Sequence, residues 1–237
     1  MEKASTFVDH CARVSKLKFD KEEKALNREL KKQMSNTNNP QEVHPFTMGE
    51  LRKAIKKMKL KGAPGPYNIP PSFLKNLGEK ALKELLAIFN SSLNNSTVPQ
   101  IWRNAIIIPL LKHGKPASDL ASFRPISLTS CVVKLLERML AERLYFLAES
   151  NGWFHNYQAG FRKGRSCEDQ ILKITQGIED AFQNTPRRTA VLVLLDFSKA
   201  YDTVWRQKLL TSMLDVGVPH IYVKWLFNFL QNRQARV

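Results

Sequence analysis

The sequence predicts an α+β protein of mainly helical content with a few short strands. Long stretches with apolar residues at three- and four-residue spacing dominate the chain. Between them lie short apolar runs bounded by turn residues, too brief to be helices. The composition, 43% hydrophobic and 24% charged over 237 residues, is that of a globular chain able to bury a sizeable core.

Taken in order, residues 5–35 mix charge with Phe7, Val14, Leu17, Leu26 and Leu30 and read as helical. "SNTNNPQEVHP" then interrupts as a polar, proline-containing linker. "TMGE" is a capping box, Thr47 with Glu50, opening a helix with Leu51, Ile55 and Met58 on one face. Its other face carries Arg52, Lys53, Lys56, Lys57 and Lys59, either a solvated surface or a set of phosphate contacts. "KGAPGPYNIPP" is a shaped loop, and helical patterns follow over 72–77 and 79–94. "NAIIIPLL" is a short strand, "KHGKPASDLAS" a loop and "FRPISL" a second extended piece. Helices are predicted over 130–149 and 167–183, flanking the polar and aromatic loop "NGWFHNYQAGFRKGRS". "VLVLLD" reads as a buried strand ending at Asp196, and helices over 203–215 and 220–231 complete the chain.

The formal net charge of +16 is the outlying compositional fact. Residues 1–35 hold nine Lys/Arg against six Asp/Glu, so most of the excess lies in the remainder. A basic bias spread through a folded body points to a polyanionic partner, nucleic acid before membrane. Cys11, Cys131 and Cys167 are widely spaced and form no CxxC, which argues against a disulfide framework and against a zinc site. "MEKASTFVDH" does not resemble a signal peptide, and the apolar runs are too short to span a bilayer. An intracellular setting, nuclear or cytoplasmic, is the expectation.

The chemistry centres on "VLVLLDFSKAYDTVW", residues 191–205. A carboxylate at the end of a buried strand is costly without a partner, which could be a basic side chain, a helix N-terminus or a metal ion. Asp196 followed by a turn suits Mg²⁺, which takes one or two protein carboxylates beside substrate phosphates. Asp202 is either a second ligand or a helix cap beside Thr203. Lys112 and Lys115 flank a glycine turn between two extended segments, with Arg124 on the second. This is a hairpin whose cations could meet triphosphate oxygens or simply solvent. "YQAGFRKGRS" places Arg162, Lys163 and Arg165 around two glycines, with Tyr157 and Phe161 available for stacking.

Four segments occur together in order and spacing: "GAPGPYNIPPSFLKNL", "IIPLLKHGKPASDLASFRPISLTS", "NYQAGFRKGRSCEDQI" and "VLLDFSKAYDTVW". In these the chain resembles non-LTR retrotransposon reverse transcriptases of the jockey-like kind. The resemblance implies a right-hand polymerase fold, fingers followed by the beginning of the palm. Residues 1–44 would then be a helical segment and linker, and 45–237 the reverse transcriptase domain. It also implies RNA template, DNA primer and deoxynucleoside triphosphates as partners, with Mg²⁺ or Mn²⁺ as cofactor. Asp196 matches the first catalytic aspartate, a metal ligand, with Phe197 lending its backbone carbonyl to the metal. Tyr201 matches the steric gate beneath the incoming sugar. Lys112 or Lys115, with Arg124, would hold the triphosphate, and Gln158, Gly160, Phe161 and Arg162 would line the template side. Asp202 also matches a family position, without a ligand role.

Two departures from the family pattern stand out. Gly65-Pro66-Tyr67 replaces the usual Gly-Pro-Asp, and no pair of adjacent aspartates follows before the chain ends at "FLQNRQARV". The resemblance thus implies RNA-templated DNA synthesis for the parent protein and a catalytically incomplete chain here. The alternative is a non-catalytic, basic nucleic-acid-binding remnant of a retroelement. A nuclease built on Asp196 and Asp202 would need further acids, and the convenient ones are Glu168, Asp169, Glu179 and Asp180.

Overall fold

The structure, a computed structural model, describes residues 2–14, 20–35, 43–186 and 188–237. They divide into two compact units, Met1–Leu147 with Tyr201–Val237, and Ala148–Ala200.

The first unit is mostly helical. Helices α1 (Glu2–Val14) and α2 (Lys21–Ser35) occupy the stretch read as one helical segment. The predicted linker falls largely on 36–42, outside the described residues. Helix α3 (Met48–Lys56) begins at the predicted capping box: Thr47 Oγ1 accepts from the Glu50 N–H at 3.2 Å, and Glu50 Oε2 accepts from the Thr47 N–H at 2.7 Å. The short α4 (Pro71–Lys75) has proline in its first turn, where a missing N–H costs nothing.

Helix α5 (Glu79–Asn94) is a central pillar of the unit. Its Phe89 and Leu93 are fully buried, and its Asn90 side chain both accepts from the Phe46 N–H and donates to the Phe46 carbonyl. Its Ser92 Oγ accepts from the Trp225 indole at 3.0 Å, a buried polar contact that satisfies both groups. Trp225 lies on α9 (His220–Leu230), which packs with α8 (Arg206–Asp215).

Among the described residues three strands form one sheet in the order β2-β1-β3. β1 (Asn104–Leu111) and β2 (Phe123–Thr129) are the predicted hairpin, antiparallel with Leu110 opposite Arg124. Pro109 faces Pro125 in this register. Because the Lys112 N–H donates to the Ser122 carbonyl, alternation places the two prolines at a non-hydrogen-bonded pair, where neither needs an N–H. β3 (Gln234–Arg236) pairs parallel with Asn104–Ile106 and carries no predictive signal, being three exposed, mostly polar residues. The glycine loop docks where β2 passes into α6 (Cys131–Ser150). A Cβ on Gly65 would collide with the Thr129 carbonyl and the Ser130 nitrogen, so only glycine allows this approach.

The smaller unit holds the end of α6, a loop, α7 (Cys167–Gln183) and the segment 184–200. A second capping box starts α7: Ser166 Oγ accepts from the Asp169 N–H at 3.1 Å while Asp169 Oδ2 accepts from the Ser166 N–H at 2.9 Å. No residue of α7 is buried.

One expectation fails here. Residues 190–196 form no strand: among the described residues they pair with no neighbour, and Val191, Val193, Leu194 and Leu195 are 82%, 72%, 81% and 87% exposed. A β-branched apolar run has strand propensity, but a strand exists only where another supplies hydrogen bonds and packing. The other corrections are small. The helix expected from 203 begins at Arg206, and that expected over 72–77 ends at Lys75.

Candidate nucleotide and template site

The hairpin brings the three proposed phosphate ligands to its loop end. Lys112 and Leu110 share a face, and Arg124 stands opposite Leu110, so Lys112 and Arg124 project to the same side as diagonal neighbours. The Lys112 ammonium donates to the Ala121 carbonyl at 2.7 Å, which fixes its stem across the loop mouth. Gly114 has a φ of +69°, the left-handed turn that reverses the chain before Lys115. Asp119 closes the other side, its carboxylate accepting from the Ala121 N–H at 2.9 Å. Lys115 and Arg124 are exposed. The arrangement offers a guanidinium and two ammoniums along a rigid ribbon, donors suited to phosphate oxygens.

Gln158, Gly160, Phe161 and Arg162 share one loop of the smaller unit. Arg162 is the loop's anchor. Its guanidinium makes a two-point contact with Glu149 at 3.1 and 2.7 Å, donates to the His155 carbonyl at 3.0 Å, and leaves its side chain only 10% exposed. It therefore shapes the loop. Phe161, at a φ of +62°, stands 91% exposed at the turn. Tyr157 is also exposed, with the Lys173 ammonium 5.4 Å above its ring.

Asp196 and Phe197 lie in the exposed segment. Asp196 is exposed to water, so burial imposes no need for a counter-charge on its carboxylate. Magnesium requires a near-octahedral set of oxygens. Among the described residues no three or more His, Cys, Asp or Glu cluster as a metal site. One carboxylate and one carbonyl supply only part of such a set. The nuclease reading loses Asp169 as well, which is engaged as the α7 cap. Tyr201, in the larger unit, is 78% exposed.

Sequence reasoning missed the residue that orients the start of α3. Arg143 of α6 donates to both Glu50 carboxylate oxygens at 2.7 and 2.9 Å, to the Pro45 and His44 carbonyls, and to the Tyr222 hydroxyl at 3.2 Å. Its guanidinium also lies 4.3 Å from the Phe46 ring centroid. Burial pushes the Glu50 carboxyl up, but bonds from Arg143 and Thr47 outweigh it and hold it below the ordinary value. Only the Thr47–Glu50 half of this network has a sequence signature. Tyr67, the residue that departs from the Gly-Pro-Asp pattern, also has a visible role: its hydroxyl accepts from Asn104 Nδ2 at 2.9 Å, tying the glycine loop to β1.

Comparison with known proteins agrees with these motifs. Residues 111–237 match the family model described as reverse transcriptase (RNA-dependent DNA polymerase). The chain is 33% identical over 195 residues to the probable RNA-directed DNA polymerase from transposon BS of Drosophila melanogaster, covering 82% of this chain and 21% of that protein. It is 31% identical over 191 residues to the RNA-directed DNA polymerase from mobile element jockey of the same species, covering 81% and 20%. A Pol polyprotein from the type-1 retrotransposable element R1 of Bradysia coprophila is 26% identical over 185 residues, 77% of this chain and 18% of that one. The chain thus spans about a fifth of the length of these relatives. By the family match and the motifs that carry it, the chain belongs to the reverse transcriptases, and its relatives are the polymerases of non-LTR retrotransposons.

Proposed function

We propose that this chain supplies the fingers and the first part of the palm of an RNA-directed DNA polymerase of a non-LTR retrotransposon, in a right-hand polymerase fold. The observation that carries this reading is the family match over residues 111–237, which spans the cation-lined hairpin tip, the aromatic loop and Asp196 together. In this reading Lys112 or Lys115, with Arg124, holds the triphosphate of an incoming deoxynucleotide. Tyr201 sits under its sugar, and the loop at Gln158–Arg162 guides the RNA template. Asp196 contributes one carboxylate, with the Phe197 carbonyl beside it, to a divalent-metal site whose remaining ligands these residues do not provide. The chain alone is accordingly inactive, because in-line transfer needs both the attacking and the leaving oxygen stabilised.

The test is extension of a DNA primer on an RNA template. The 237 residues should give no product. The same residues joined to the palm and thumb of a jockey-like relative should give product, and Asp196→Asn should abolish it. Tyr201→Ala in that protein should admit ribonucleotides. Full activity of the joined Asp196→Asn protein would overturn the assignment. The second reading, a nucleic-acid-binding remnant, draws on the absence of a carboxylate cluster among the described residues. It predicts RNA binding by the chain and no extension even after joining.

A further inference from the structure

The sequence sets residues 1–44 ahead of the polymerase domain, yet α1 belongs to the same compact unit as the hairpin and Tyr201. Of its residues 5–14 only Phe7 is buried, at 4% exposure. A surface helix usually buries a stripe of side chains, whereas α1 concentrates its burial in one. Phe7 meets Phe123 edge-on, with ring centroids 6.1 Å apart and planes at 80°, a favourable arrangement for two aromatic rings.

Phe123 opens β2, opposite Leu111 and directly before Arg124. Successive side chains of a strand point to opposite faces. Phe123 and Leu111 therefore lie on one face of the ribbon, and Arg124 with Lys112 on the other. Helix α1 thus meets the hairpin from the face opposite its cations. The contact also falls at the last strand pair before the loop, next to the 2.8 Å bond from the Lys112 N–H to the Ser122 carbonyl. Cys11 stands one turn on from Phe7, on the same side of the helix. Burial and the nearby charge of Asp202 push its thiol up from the ordinary value. That turn of α1 accordingly lies near the residue that follows Tyr201.

We infer that Phe7 is a positioning residue of the nucleotide site, bracing the hairpin so that Lys112 and Arg124 stand where a triphosphate meets them. The inference rests on the nucleotide reading of those cations. Phe7 itself touches no nucleotide. A donor set held in place before binding loses less freedom when the ligand arrives, so loosening it weakens affinity without removing a contact.

Two measurements on the 237-residue chain test this: equilibrium binding of a fluorescent deoxynucleoside triphosphate with Mg²⁺, and amide hydrogen exchange. Phe7→Ala should weaken nucleotide binding at least fivefold and speed exchange at the Lys112 and Ser122 amides, with α5 exchanging as in the parent. Phe7→Leu, gentler on folding, loses the ring contact and should show a smaller change of the same kind. Leu30→Ala is the control: it empties a buried position on α2 and should move neither readout. Parent-like affinity or parent-like hairpin exchange in both Phe7 variants would overturn the inference and leave the nucleotide reading standing. An equal loss in Leu30→Ala would do the same, reducing Phe7 to general packing. If the parent binds no nucleotide, or binds it equally after Lys112→Ala/Arg124→Ala, the nucleotide reading falls and the inference falls with it.

Discussion

The two units are built from similarly apolar sequence and use it differently. In the larger unit the apolar stripes of α3, α5, α6 and α9 converge, so that Leu51, Phe89, Val133, Leu135 and Trp225 are wholly or almost wholly removed from water. In the smaller unit α7 shows Ile171, Leu172 and Phe182 to solvent at 62%, 67% and 55%, and the run at 191–195 is more exposed still. Apolarity alone therefore does not decide burial. A helix pair or a hairpin closes most of its backbone hydrogen bonds locally, whereas an isolated extended segment leaves every N–H and C=O to water and shields no side chain. The contrast extends to function: the proposed nucleotide cations sit on the self-sufficient hairpin, while Asp196 sits on a segment that pairs with no other among the described residues.

The largest expected effect tests the first half of that contrast. Phe89 is fully buried and meets Trp102 edge-on, with ring centroids 6.1 Å apart. Phe89→Ala should cost about 3–5 kcal/mol in chemical denaturation, the range for truncating a buried aromatic. A loss below about 1 kcal/mol would mean that the larger unit does not hold the packed core described.

A smaller loss is expected from the network around Arg143. Its removal leaves Glu50 half-covered without its guanidinium and leaves the His44 and Pro45 carbonyls short of a donor. Arg143→Ala should cost about 2–3 kcal/mol, less than a fully buried pair because the Glu50 side chain is 32% exposed. The pH dependence has a definite sign. Glu50 is held below its ordinary value of 4.5 in the folded chain, so the unfolded chain takes up its proton first as pH falls. The stabilisation is present above about pH 4.5 and is lost as pH drops through the lowered folded value. Unfolding free energy measured from pH 6 down to 3 should fall less steeply in Arg143→Ala than in the parent. Equal slopes would separate Glu50 from the network.

These same residues mark how much was legible in advance. The capping box at Thr47, the β1–β2 hairpin and the limits of α5 and α7 are written in local chemistry: a hydroxyl three residues before a carboxylate, a glycine turn between apolar runs, a regular apolar stripe. The hairpin cations follow from that register, so their shared position was legible too. What a single segment does not encode is its partner. Arg143 meets Glu50 from 93 residues away, and nothing in "AERLYF" distinguishes it from a solvated arginine. β3 exists only because Asn104–Ile106 offers an edge. The failure at 190–196 is the converse, a segment with every local mark of a strand and, among the described residues, no neighbour to pair with.

The smallest effect on folding is expected where the second half of the contrast is tested. "AVLVLL", residues 190–195, has high β-propensity, no charge and no proline, the signature of a segment that pairs with copies of itself when exposed. Val193 stands 72% exposed in its middle. Val193→Lys removes no packing contact of consequence, so unfolding free energy should change by no more than about 0.5 kcal/mol. The lysine should nonetheless interrupt edge-to-edge association, as charged residues on exposed edges do. Light scattering during concentration should show the parent chain associating first, with the variant staying monodisperse to several-fold higher concentration. Loss of more than about 2 kcal/mol would place Val193 in a packed interior. Association unchanged by the lysine would locate the sticking surface elsewhere, with the exposed stripe of Ile171, Leu172 and Phe182 on α7 as the next region to charge.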